Sequence, residues 1–189
     1  MRVLTFVLSF VLATAALHSF QGAPAQSRME IDVKATFVYQ FSRYAEWPAG
    51  RAPAATGAAK PPFKVCAVAD GSFNRSLDKV LEGEMIDGRR MVRKLPDTLE
   101  EAQDCQILYL GDIEPERVKP LLASVEGLPV LTIGETPEFL KWGGQILLVR
   151  DGKRIRFDIN LKAARRNNIV LRSQLLRIAR HVDDREELP

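Results

Sequence analysis

Apolar residues recur along this chain at two spacings, one typical of amphipathic helices and one typical of buried strands. The first regular segment, residues 31–44, has the helical spacing. Its apolar positions are Val33, Phe37, Val38, Phe41 and Tyr44. The predicted helix ends at Trp47-Pro48, and a connection rich in proline and alanine, residues 49–62, follows it.

The rest of the chain alternates short apolar runs with amphipathic segments. The runs predict strands at 63–69, 90–95, 105–110, 128–133, 145–150 and 153–159. The amphipathic segments predict helices at 72–81, 98–103, 114–124, 136–142, 160–168 and 171–182. The last helix is expected to bury Leu171, Leu175, Ile178 and Val182 on one face.

Strands that alternate with helices favour right-handed crossovers and a mostly parallel sheet covered on both faces. The expected fold is therefore an α/β, Rossmann-like three-layer sandwich. The last two strands are separated by Asp151-Gly152, a dipeptide typical of a type I′ turn. We therefore expect an antiparallel C-terminal hairpin at the end of the sheet.

The N-terminal segment Met1 to Ala25 is typical of a secretory signal peptide, which makes residues 26–189 a single exported domain. Arg2 precedes an apolar stretch, and Ala23-Pro24-Ala25 resembles a cleavage site. Polar residues interrupt the stretch, so a retained membrane anchor is the less favoured alternative. No cysteine is available for lipidation after it, and a soluble mature chain is expected.

Two cysteines, Cys66 and Cys105, would meet an oxidising compartment after export, so a disulfide is the expected state. The strands that carry them would be neighbours if the strand order were flavodoxin-like. The alternative is two separate buried thiols.

The formal net charge of +3 falls to +2 if Arg2 leaves with the signal peptide, which is too mild to indicate a nucleic-acid partner. Residues 160–180 nevertheless contain six cations and no acidic residue. These cations are Lys162, Arg165, Arg166, Arg172, Arg177 and Arg180. They form either solvated helix faces or a basic surface for an acidic partner, an anionic ligand or membrane headgroups, for which Arg172 and Arg180 are candidates.

The pattern expected of an enzyme is missing from this sequence. His181 is the only histidine after the predicted leader, too few for a histidine-based zinc site. A disulfide would remove both thiolate nucleophiles, and no phosphate-binding or dinucleotide-binding glycine motif occurs. We therefore predict no catalytic residue, no metal and no cofactor. An envelope hydrolase that uses Asp158 or His181 is the weakest alternative.

Two groups of residues are candidates for recognition. Phe37, Phe41, Tyr44 and Trp47 form an aromatic stripe that belongs either to the core face of the first helix or to a binding strip. In the second group, Asp158 and Asn160 alternate with apolar residues, so both face the same side of the sheet. They either orient the following helix or line a cleft.

Four segments in order carry a family resemblance: residues 35–48 (ATFVYQFSRYAEWP), Gly143-Gly144, residues 156–160 (RFDIN) and residues 173–179 (SQLLRIA). With the leader, they make the chain resemble the YfiR family of periplasmic proteins over nearly all of the predicted mature length. The cysteine pair resembles a structural disulfide of that family.

The resemblance implies a periplasmic Rossmann-like domain, often a homodimer, that represses a membrane-bound diguanylate cyclase by contacting its periplasmic sensor region. Such a protein lowers cyclic-di-GMP signalling and biofilm formation. It also implies release of the repressor by redox stress, envelope stress or a small ligand. The alternatives are a periplasmic small-ligand-binding protein and an accessory domain of another envelope signalling system.

Overall fold

The computed structural model describes residues 28–48 and 60–184. The predicted signal peptide and most of the predicted 49–62 connection lie outside the described residues. Within the described ranges, no helix is both long enough and apolar enough to cross a membrane.

Six helices and ten strands follow one another in the described part of the chain. The helices are α1 (Arg28–Tyr44), α2 (Gly71–Leu81), α3 (Leu99–Gln103), α4 (Pro115–Ser124), α5 (Leu161–Arg166) and α6 (Ser173–Ile178). The strands are β1 (Ala45–Glu46), β2 (Phe63–Val68), β3 (Met85–Ile86), β4 (Arg89–Lys94), β5 (Ile107–Leu110), β6 (Leu131–Gly134), β7 (Ile146–Asp151), β8 (Arg154–Asn160), β9 (Val170–Leu171) and β10 (His181–Asp183).

Eight strands form one sheet in the order β10-β8-β7-β6-β5-β2-β4-β3, and β1 pairs with β9 separately. The pairs from β4 through β2, β5 and β6 to β7 are parallel, whereas β7 and β8 are antiparallel. The chain crosses from β2 to β4 and then returns to β5 on the other side of β2, as in a flavodoxin-like order. The predicted α/β fold with a mostly parallel sheet is confirmed.

Apolar side chains pack on both faces of the sheet. One core contains the inner faces of α1 and α2 with Phe157 and Leu175, and the other lies beneath α3 and α4. Cys66 of β2 and Cys105, two residues before β5, form a disulfide in the second core. The predicted pairing is confirmed, and the strands concerned are neighbours.

The β7–β8 hairpin is confirmed, but its turn is not the predicted one. Asp151 pairs with Arg154, so the turn residues are Gly152 and Lys153. Positive φ occurs at Gly152 (+60°) and not at Lys153. This is the pattern of a type II′ turn, which needs positive φ only at its first central residue.

A second hairpin joins β3 and β4, and the sequence analysis did not predict it. Ile86 pairs with Arg89 across Asp87-Gly88, and both turn residues have positive φ, at 50° and 73°. Asp87-Gly88 therefore forms a type I′ turn.

The helix predicted over 136–142 is wrong, because this segment forms consecutive turns. Its fully buried Phe139 lies between Gly134 and Gly144. A Cβ atom at either glycine would come within 2.3 Å of the Phe139 ring. The close approach of this ring to two backbone segments therefore requires both glycines.

The helix predicted over 171–182 is also wrong. Leu171 belongs to β9, α6 has only six residues, and Val182 lies in β10. β10 pairs in parallel with β8, so the sheet ends in β10 and not in the antiparallel β8 as predicted. β10 forms hydrogen bonds with the backbone N–H and C=O groups on the open edge of β8. If residues 179–183 continued α6 instead, those edge groups would be left to water. Ile178, expected to be buried, is 58% exposed.

Candidate binding groove

An apolar groove of about 710 Å³ lies between α1, α6 and Phe157 of β8. Its apolar lining residues are Met29, Val33, Phe37, Phe41, Tyr44, Phe157, Leu175 and Ile178. We call this surface the α1–α6 groove. Small-molecule pockets in proteins commonly have volumes in this range.

Three packed aromatic rings form the floor of the groove. Phe37 and Phe41 stack with their ring centres 5.7 Å apart, and Phe157 meets Phe41 edge to face at 5.0 Å. Phe41 is fully buried, whereas Phe37 is partly exposed. The predicted aromatic stripe is therefore partly core and partly an open surface.

Large apolar side chains line the groove and face the solvent. Met29 is 76% exposed, Ile178 is 58% exposed and Val33 is 38% exposed. Clustered exposure of this kind is unusual for a protein without a partner, since single exposed apolar residues are normally scattered. The groove therefore has the character of a binding surface.

Tyr44 lines the groove, and Trp47 does not. Trp47 packs edge to face on Phe63, and its indole nitrogen donates to the Gln106 carbonyl at 3.2 Å. It thus anchors the end of α1 to the start of β2. The binding role predicted for Trp47 stays a prediction.

The structure brings together Asp158 and Arg180, which the sequence analysis treated separately. Arg180 donates two hydrogen bonds to the Asp158 carboxylate, at 2.9 and 2.5 Å. These bonds and the charge of Asp158 raise the pKa of Arg180 above its ordinary value. The pair joins β8 to the residue before β10 and supports the final strand.

Asn160 orients the helix that follows it, which is one of the two roles considered for it from the sequence. Its side-chain oxygen accepts from the Ala163 amide at 2.9 Å and caps α5. Its amide group donates to the Leu140 carbonyl at 3.2 Å.

Arg172 joins the start of α6 to the end of α1. Its side chain donates to Glu46 at 2.9 Å, and its backbone amide donates to the Tyr44 carbonyl at 2.9 Å. Arg172 therefore helps to hold the two helices that form the groove. Whether Asp158, Asn160, Arg172 and Arg180 also contact a partner or ligand stays a prediction.

A buried ionic cluster holds the inner face of α1 at the carboxyl ends of the central strands. Lys34 donates to Glu135 at 2.7 Å and lies 3.0 Å from Glu30, and the Tyr109 hydroxyl donates to Glu135. Burial alone would lower the pKa of Lys34, but its hydrogen bonds with Glu135 and Glu30 and their charges outweigh burial and raise it. Burial, with the charge and hydrogen bond of Glu135, raises the pKa of Tyr109 well above its ordinary value.

Among the described residues, no group of three or more histidine, cysteine, aspartate or glutamate side chains is placed to hold a metal ion. His181 is exposed on the edge strand β10. Lys34, which is buried, is paired with Glu135.

Part of the groove can be recognised from the sequence, and part cannot. Helical spacing identified Val33, Phe37, Phe41 and Tyr44, and Met29 lies one turn before Val33 at the same spacing. Ile178 was predicted to lie on the buried face of a helix over residues 171–182. That helix does not form, and Ile178 is exposed at the end of the short α6. Periodicity marks an apolar face but does not show whether another element covers it.

The solved structures that are similar to this chain include the following two. A conserved domain protein from Vibrio cholerae O1 biovar eltor matches with a TM-score of 0.52 and 9% sequence identity, over 81% of this chain and 60% of that chain. An ABC domain in complex with L-Trp from Streptococcus pneumonia has a TM-score of 0.46 and 11% identity, over 64% of this chain and 55% of that chain. The chain thus spans less than two thirds of either protein. The first likeness supports the α/β fold alone.

A family model provides the more specific comparison. The model, described as YfiR/HmsC-like, matches residues 31–180. The match runs from the second turn of α1 to the residue before β10, and it includes strands β1 to β9, the disulfide and α6. This chain therefore belongs to the YfiR/HmsC-like family.

Proposed function

We propose that this chain is a periplasmic repressor that binds the periplasmic sensor region of a membrane-bound diguanylate cyclase and lowers cyclic-di-GMP signalling. The observation that carries the proposal is the family match over residues 31–180. Membership supports a regulatory role in diguanylate-cyclase signalling, rather than a catalytic one, and interaction with a membrane signalling protein. The identity of the partner and the repression of its activity belong to the proposal.

The α1–α6 groove is the surface that we assign to the partner. It combines a rigid aromatic floor with exposed, adaptable side chains such as Met29. Such a groove suits the apolar face of a partner helix, which would be anchored by residues at helical spacing. Binding one conformation of the sensor about a hundredfold more tightly than the other, or about 3 kcal/mol, shifts its equilibrium by the same factor.

A deletion strain that is complemented with groove variants tests this function. Deleting the gene should raise cyclic-di-GMP, and the wild-type gene should restore the low level. Ile178→Asp and Met29→Asp should fail to restore it and should weaken binding to the purified sensor region about tenfold or more, because a charge opposes burial of the groove. Both positions are exposed, so we expect folding to be retained.

Leu95→Asp is the matched control, since Leu95 is 53% exposed and does not line the groove. It should repress and bind like the wild type. Unchanged cyclic-di-GMP after deletion would contradict the repressor function. Full repression by both groove variants would instead contradict the assignment of the groove. The homodimer is part of the proposal, and sedimentation analysis of the purified chain tests it.

A second candidate function, binding of a small apolar ligand, is favoured by the volume and lining of the same groove. A ligand present at a hundred times its Kd should stabilise the protein by about 2.7 kcal/mol. A thermal-shift screen of amino acids, nucleotides and cofactors would detect this effect. The shift should disappear in Ile178→Asp and remain in Leu95→Asp, and the absence of any stabilising compound would count against this function.

A further inference from the structure

A second cavity, of about 500 Å³, lies between the first turns of α1 and the face of α2 that turns toward them. It is polar where the groove is apolar, since its lining contains Ile31 as the one large apolar residue. The polar lining residues are Arg28, Asp32, Ser72, Arg75, Ser76 and Lys79. We call it the basic cavity.

The basic cavity carries a net positive charge. Arg28, Arg75 and Lys79 contribute three positive charges and Asp32 contributes one negative charge, which leaves +2. Asp32 already accepts a hydrogen bond from Ser76 at 2.7 Å, and Ser76 is 7% exposed. The nearby carboxylate of Asp78 is bound to Arg93 by two hydrogen bonds, at 2.7 and 2.9 Å. The excess positive charge therefore faces the cavity.

Helix α2 places hydrogen-bond donors along one stripe. Ser72 lies three residues before Arg75 and four before Ser76, and Lys79 lies four residues after Arg75 and three after Ser76. The four residues therefore share one side of the helix. Arg75 donates to the Ser72 hydroxyl oxygen at 3.3 Å, which leaves the hydroxyl hydrogen of Ser72 free to donate to a ligand.

This arrangement costs stability in the unliganded protein. Arg75 and Lys79 are like charges four residues apart, which destabilises a helix slightly. The α2 N-terminus is capped by Asp70, which accepts from the amides of Ser72 and Phe73. An anion between the three cations would remove the repulsion.

We propose that the basic cavity binds a phosphate monoester group. Such a group carries close to two negative charges at neutral pH, which matches the +2 of the lining, and offers several acceptor oxygens to guanidinium, ammonium and hydroxyl donors. A carboxylate would balance only half of that charge. The phosphate belongs either to a small soluble metabolite or to a lipid headgroup, and the cavity recognises the group common to both.

Calorimetric titration with glycerol 3-phosphate and co-sedimentation with phosphatidylcholine vesicles that contain phosphatidic acid test the proposal on the purified mature chain. Binding by at least one of these probes is expected. Arg75→Gln with Lys79→Gln should weaken it about tenfold or more, because each lost hydrogen bond to a charged group is worth about one decade of affinity. The matched control, Lys94→Gln with Arg117→Gln, removes the same two charge types outside the cavity and should bind like the wild type.

The two probes separate the possible sources of the phosphate. Binding of glycerol 3-phosphate indicates a soluble ligand, and binding of phosphatidic-acid vesicles alone indicates a headgroup. The proposal is overturned if the wild type binds neither probe, if the cavity variant retains wild-type affinity, or if the control loses as much as the cavity variant. Urea denaturation of the cavity variant should show stability equal to or slightly above that of the wild type, which excludes misfolding as the cause of lost binding.

Discussion

Replacing Cys66 with alanine should lower the free energy of unfolding by about 4 kcal/mol, and Cys105→Ala should cause a similar loss. The disulfide spans a sequence separation of 39 residues and joins the central strand β2 to the residues just before β5. Without it, the unfolded chain regains the conformational freedom that closure of this loop had removed. Urea denaturation of the oxidised wild type and of both variants measures the effect.

The double variant Cys66→Ala/Cys105→Ala provides the control. If the two sulfurs are bonded, the double variant should lose little more than either single variant, because one bond is broken in all three. Reduced wild-type protein should approach the same stability. Losses that add in the double variant would instead mean that the two cysteines contribute independently.

Lys34→Met should lower the free energy of unfolding by about 3 kcal/mol at neutral pH. The side chains of Lys34, Glu30 and Glu135 are only 6%, 10% and 12% exposed, so removal of the ammonium leaves two mostly buried carboxylates short of a cation. Glu30 keeps Arg150 at 3.1 Å and Glu135 keeps the Tyr109 hydroxyl, which limits the loss. Urea denaturation of the wild type and of Lys34→Met measures this difference in the free energy of unfolding.

The double variant Lys34→Met/Glu135→Gln should be more stable than Lys34→Met alone, since it no longer buries the unpaired Glu135 charge. The pH dependence adds a further test. The pKa of Lys34 is raised above 10.5 by folding, so its contribution is complete below pH 10.5 and is lost as the pH rises through the folded value. The stability difference between wild type and Lys34→Met should therefore shrink above about pH 10.5, and a difference that grows there would contradict the cluster as described.

The groove and the ionic cluster share α1. Its outer face presents Met29 and Val33 to the groove, and Lys34 on its inner face binds Glu135 after β6. Ligands of open α/β sheets commonly bind near the carboxyl ends of the strands, and here α1 and Lys34 occupy that position. The α1–α6 groove, the binding surface that we propose, therefore lies on the outer side of the helix that covers the crevice.

Much of the fold could be predicted from sequence because the relevant signals are local. The apolar runs around β2, β5 and β6 are nearly continuous, as expected of strands buried on both faces, and the segments between them have helical spacing. Right-handed crossovers then restrict the order of the strands. The pairing of Cys66 with Cys105 follows from the same order, since β2 and β5 are neighbours.

Turn geometry was less predictable. Asp87-Gly88 and Asp151-Gly152 are the same dipeptide, yet only the first forms a turn with two positive φ values. At the second, the pairing of Asp151 with Arg154 moves the turn forward by one residue. Strand register over the whole β7–β8 hairpin therefore decides which residues occupy the turn.

The sequence was sufficient to predict the alternating α/β elements, the mostly parallel sheet, the disulfide and the amphipathic stripe of α1, because each depends on spacing along the chain or on the neighbours that topology imposes. Three features could be seen only in the folded protein: the division of residues 170–183 into β9, α6 and β10, the turns around buried Phe139, and the exposure of Met29 and Ile178 beside buried Phe41. These outcomes depend on contacts between distant segments: an open edge of β8, a space between two glycines, and an apolar helix face that no other described element covers.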